Sequence, residues 1–139
     1  MRAFRKKGRR HGRRGDDAAR MPALADVVTL MEYEVARARR YRRPLSLVAV
    51  SLETMLASEV KLRFTDLFAL APDGDTVLVM LPETDATGAY GLVRRIQVAS
   101  RIEEDMPVVS FKDDGVTLHD LMSQVLEARR SRRPVARAS

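Results

Sequence analysis

The sequence contains no cysteine and no tryptophan. The first absence excludes disulfides, thiolate metal sites and a cysteine nucleophile, and it fits a reducing compartment. The second, with aromatic content of only 5%, leaves aliphatic side chains to fill any core. Long apolar runs are also missing. The longest, Leu45 to Leu52, contains two serines and has the length of a strand, well short of the roughly 18 residues that span a bilayer. The basic N-terminus carries no apolar stretch of the kind a secretion signal needs, so the expected location is cytoplasmic. Histidine occurs only at His11 and His119, and no Gly-rich phosphate loop is present. His119 falls in the first turn of an expected helix, where a solvated or capping role is the common one. Ser51 and Ser110 have no histidine near them in sequence, which gives no sign of a serine nucleophile.

What is present fits one domain. The 139 residues are 45% hydrophobic, enough for a real core. The net charge of +6 conceals an asymmetry. Residues 1–14 hold eight cations and no acid, and residues 129–139 hold five cations and no acid. All 19 acids lie in 15–128, against 12 Lys and Arg, so the middle of the chain is at −7. Residues 1–22 and 131–139 are therefore expected to be basic tails, the first disordered, around a folded unit at 23–130. Such tails attract polyanions, either nucleic acid or anionic membrane.

The apolar pattern predicts the elements. Leu24, Val27, Val28, Met31, Val35, Ala38 and Tyr41 recur at helical spacing, and Pro44 follows as a stop. Leu45–Leu52 is nearly continuous apolar, which predicts a central strand covered on both faces. Residues 53–64 have room for one short helix. Thr65–Ala71 and Thr76–Leu81 flank Pro72-Asp73-Gly74-Asp75, a hairpin signal. Thr84 or Asp85 caps a helix to about Ile102, with Ala89, Leu92, Val93, Ile96 and Ala99 inward and Arg94-Arg95 in water. Pro107–Phe111 predicts a strand. Thr117, with Asp120 three residues on, opens a last helix whose inner face is Leu118, Leu121, Met122, Val125 and Leu126. Together these predict an α/β domain of the α+β type, a two-layer sandwich with a mainly antiparallel central sheet and helices packed on it.

Several segments, in order, resemble the GGDEF family of bacterial diguanylate cyclase domains. Glu34 to Leu47, with Arg39-Arg40-Tyr41 and Pro44-Leu45-Ser46-Leu47, is similar to the family's junction of first helix and first strand. Leu81-Pro82-Glu83-Thr84-Asp85 matches the run after the signature hairpin. Val109-Ser110 resembles the start of the next strand, and Leu126 to Arg133 the closing helix. The resemblance covers about residues 24–133 and implies a shortened, cyclase-palm-like fold.

The departures from the pattern concern chemistry. On the hairpin only Gly74 and Asp75 remain of the Gly-Gly-Asp-Glu-Phe signature, as Asp73-Gly74-Asp75-Thr76-Val77. Ser51 stands where active members end the first strand in a magnesium-holding aspartate, with Glu53 near a second acidic position. Residues 53–72 replace a longer stretch that includes a helix contacting the guanine base. Magnesium on a triphosphate needs several carboxylate oxygens at fixed spacing. The expectation is accordingly no catalytic residue, no metal, no cofactor and no enzymatic activity.

Many members of the family carry an Arg-x-x-Asp motif before the hairpin that binds cyclic di-GMP. Arg63-Phe64-Thr65-Asp66 lies there, one residue farther from the turn than usual. A guanidinium can grip a guanine edge or a phosphate with two hydrogen bonds, and a carboxylate can accept from guanine N–H groups. Arg94 and Arg95 on the following helix are candidate additional cations. The resemblance thus implies a regulatory signalling domain that senses cyclic di-GMP at Arg63 and Asp66, with a protein partner or self-association. The alternative is a polyanion-binding adaptor acting through its basic tails.

Overall fold

The structure, a computed structural model, describes residues 21–132. Most of the two expected tails, with His11, lies outside these residues. The elements in chain order are α1 (Leu24–Tyr41), β1 (Leu45–Ser51), α2 (Leu52–Ser58), β2 (Leu67–Leu70), β3 (Thr76–Pro82), α3 (Ala86–Ser100), β4 (Val108–Ser110) and α4 (Leu118–Arg132). The four strands form one antiparallel sheet in the order β2-β3-β1-β4.

β1 is central, as its nearly continuous apolar run predicts, because side chains alternate across a strand and both of its faces are covered. Leu45, Leu47 and Ala49 meet Met31 and Val35 of α1 and Leu121 and Val125 of α4. Val48 and Val50 meet Met55 of α2 and Ala89, Val93 and Ile96 of α3. β3 divides the same way, with Leu78 and Met80 on the first face and Val77 and Val79 on the second. The α+β class and the antiparallel sheet are as expected. The helices lie on both faces of the sheet, however, giving three layers where two were expected. A strand buried on both faces requires this arrangement.

Local signals set the boundaries. α1 stops at Arg42, which takes a left-handed conformation (φ 56°) and donates its N–H to Ala38 O. The ambiguous segment does contain a short helix, α2, nucleated when Ser51 Oγ accepts from Thr54 N. α3 is capped by Asp85, whose side chain accepts from Gly88 N, and it ends at Ser100, slightly before the expected Ile102. Thr117 Oγ1 accepts from Asp120 N at 3.0 Å to start α4. At the other end of the described chain, Pro22 O accepts from Leu70 N at 2.8 Å, so residues expected to be tail are bonded to the edge strand β2. α4 likewise runs on through Arg132. No described helix is long and apolar enough to cross a membrane.

The register fixes the two ends of the β1–β3 ladder. Leu45 pairs with Pro82 at one end of the β1–β3 ladder and Ser51 with Thr76 at the other. Six residue steps separate them, about 20 Å at strand rise. The Arg-x-x-Asp segment lies at the Pro82 end and the hairpin at the Thr76 end.

Candidate functional site

At the Pro82 end, Arg63 and Asp66 close a turn that leads into β2. Asp66 N donates to Arg63 O at 3.0 Å, and Arg63 N donates to Asp66 Oδ2 at 2.8 Å. The carboxylate is nearly out of water, with its side chain 3% exposed. Arg63 Nη2 then reaches Asp66 Oδ1 at 2.8 Å, Pro82 O at 3.0 Å and Thr84 Oγ1 at 2.8 Å. One guanidinium thus joins the entrance of β2 to the exit of β3. Its hydrogen bonds to Asp66 hold it above its ordinary pKa, against the opposing effect of partial burial. These bonds use Nε and Nη2, while the side chain remains 54% exposed.

The Leu-Pro-Glu-Thr-Asp run has a structural task at each polar position. Thr84 receives Arg63, and Asp85 caps α3. Glu83 takes a left-handed conformation (φ 58°) and binds Arg43 at 2.7 Å and Arg37 at 3.1 Å. The Arg43 hydrogen bond is the main reason its carboxyl lies below the usual range. Beside these residues opens a cleft of about 590 Å³. Arg63, Asp66 and Thr84 form one side and Gly88, Gly91 and Arg95 of α3 another. Three of the four candidate ligand residues therefore meet there. Arg94 does not. It lines a separate depression with Gln97, Arg101 and Glu103, because a helix turns neighbouring side chains about 100° apart. Both oxygens of Asp66, expected to accept from a ligand, accept from Arg63 here.

The hairpin end is organised differently. Gly74, at φ 73°, makes the turn, and Asp73 closes it by accepting from Asp75 N at 2.8 Å and Thr76 N at 2.9 Å. Burial pushes the Asp73 carboxyl up, but those two N–H groups, with Thr76 Oγ1, bring it below its ordinary value. Two side chains with no part in the expected site converge here. Glu104, 53 residues from Ser51, accepts from Ser51 N at 2.8 Å, Ser51 Oγ at 2.7 Å and Thr54 Oγ1 at 2.6 Å. Arg129 donates to Glu104 at 3.0 Å, to Thr76 Oγ1 at 3.0 Å and to Asp75 at 3.5 Å. Burial raises Glu104, and the hydroxyl and N–H donors with the Arg129 charge outweigh it, so the carboxyl lies below its usual value. The sequence signal for Arg129 is its place four residues after Val125, on the buried stripe of α4. Among the described residues no three His, Asp or Glu side chains are grouped to hold a metal ion. Carboxylates already satisfied by a guanidinium do not fit a divalent cation.

No protein-family model and no curated protein matches the sequence. Solved structures do match. The isolated GGDEF domain of a Pseudomonas aeruginosa protein superposes with a TM-score of 0.67 at 16% identity, over 84% of this chain and 88% of that one. This chain has the GGDEF fold. The active GGEEF domain of a diguanylate cyclase from Vibrio cholerae gives a TM-score of 0.66 at 14% identity, over 81% of this chain and 90% of that one. The P. aeruginosa diguanylate cyclase SiaD, solved in complex with its activator SiaC, gives 0.57 at 18% identity, over 81% of this chain and 56% of that one.

These neighbours overturn the expectation that the chain is no enzyme. The same fold is that of the active GGEEF domain of a diguanylate cyclase. The expectation had counted acids on the turn and the strand end alone. Glu104 also reaches this end from a distant loop, where Ser51, Thr54 and Arg129 take its oxygens.

Proposed function

We propose that the chain is a diguanylate cyclase-related signalling domain and that the Arg63 cleft is its cyclic di-GMP site. The observation that carries this reading is the state of Arg63. Its guanidinium is charged, fixed by Asp66, Pro82 O and Thr84, and still half-exposed at the edge of a cleft with Arg95 on the facing helix. A fixed guanidinium loses little freedom when it grips a phosphate or a guanine edge, and two such groups suit a ligand with two phosphates. Asp66 positions the arginine. A protein partner belongs to the same reading, as SiaD has one in SiaC.

Calorimetry with cyclic di-GMP tests it. The wild-type chain should bind in the micromolar range or tighter, and Arg63→Ala should abolish the heat. No heat at high micromolar ligand, or binding unchanged by Arg63→Ala, would reject the site. GTP turnover by the same preparation, read as cyclic di-GMP formed, reports whether the shared fold carries the shared activity.

A further inference from the structure

α3 contains a glycine that the folded protein itself does not require. Glycine in a helix interior is less stable than alanine there, because the chain gives up more freedom and gains no side-chain contact. Of the two in α3, Gly88 has a packing reason, since a Cβ at that position would come 2.8 Å from Thr84 Cγ2. Gly91 has none: a Cβ built there meets no heavy atom within 4 Å. It lies well inside the helix, away from both caps. It is exposed, and the open space in front of it is the cleft.

We propose that Gly91 keeps the α3 wall of the Arg63 cleft flat, so that a planar purine ring lies directly against the helix backbone. This deepens the cyclic di-GMP reading and rests on it. Gly88, Gly91, Leu92 and Arg95 line the cleft at spacings of three and four residues, the spacing of a single helix face. Without a Cβ at Gly91, a flat ring can approach the backbone to van der Waals distance. Arg95, one turn on, is placed to stack its planar guanidinium on the ring or to pair with the adjoining phosphate. Arg63, on the far side of the cleft, takes the polar edge. Gly91 is thus a specificity-determining position for a flat base, while the two arginines supply charge.

Calorimetry with cyclic di-GMP and thermal melting on the same samples test this. Gly91→Ala should raise the melting temperature by about 2–5 °C, from helix propensity alone. The same change should weaken binding on the order of tenfold, the equivalent of one lost methyl-sized clearance. Gly91→Leu should weaken it further. Val98→Ala, on the α3 surface that lines the separate depression, should leave affinity unchanged and controls for stiffening of the helix. If wild type binds and Arg63→Ala does not, but Gly91→Leu binds as wild type does, this inference alone is overturned. If wild type shows no heat, the reading of the cleft and this inference fall together.

Discussion

Arg129→Met should cost the domain about 3 kcal/mol, because it removes one partner of a largely buried ion pair. The side chains of Arg129 and Glu104 are 9% and 16% exposed, and Nη1 meets Oε2 at 3.0 Å. Methionine fills much of the volume, so the loss is chiefly electrostatic: Glu104 keeps its hydroxyl and N–H donors but has no counter-charge. Thr76 Oγ1 also loses a donor at 3.0 Å, worth about 1 kcal/mol. The Asp75 contact, at 3.5 Å to a half-exposed carboxylate, adds little. A loss near 3 kcal/mol in a domain of this size lowers the melting temperature by about 10–15 °C. Urea denaturation followed by circular dichroism measures it, with Glu104→Gln and the double variant completing a cycle. The coupling should be about 1–3 kcal/mol, since the two groups touch. A cost for Arg129→Met under about 0.5 kcal/mol, the range of an exposed pair, would refute the reasoning, and so would strict additivity of the two changes.

Further predictions concern the caps and acid stability. Asp85→Ala removes the N-cap of α3 and should cost about 1 kcal/mol in the same denaturation assay, with Asp85→Asn close to neutral. Gly74→Ala meets no steric obstacle but must hold φ at 73°, so it should cost about 1 kcal/mol from strain alone. The folded-state pKa of Glu104 is depressed, so its contribution is fully present above the unfolded value of about 4.3 and is lost as pH falls through the lower folded one. Asp73 acts in the same direction. Stability should therefore drop on acidification below about pH 5, and Glu104→Gln should flatten that slope in a urea series across pH 3–7. A slope unchanged by the substitution would assign the acid sensitivity elsewhere.

Local chemistry was largely legible in the sequence. The stop before Pro44, the Asp-Gly turn, the caps at Asp85 and Thr117, and the alternation across β1 each depend on residues within a few positions of one another. Arg63 and Asp66 were legible for the same reason, since three residues separate them and they bond directly. The register, once set, also explains why Leu-Pro-Glu-Thr-Asp follows the hairpin: it must return the chain beside Arg63 and cap the next helix.

The rest depended on which distant residues share one end of the sheet. Arg94 and Arg95 are adjacent in sequence, and only the rotation of α3 about its axis sends one into the cleft and the other away. The burial of Asp66 beside Arg63 follows from the packing of the turn against the end of β3 and not from their spacing. Glu104 carries no local signal and Arg129 only its place on the buried stripe of α4, because their partners lie 25 to 54 residues away and meet only after the antiparallel ladder brings Ser51 and Thr76 together. The sequence alone determined the elements, the turn chemistry and the covered central strand, all products of short-range sterics and apolar periodicity. Tertiary structure decided which charges face one another, because a charge contact depends on positions in space that no local spacing encodes.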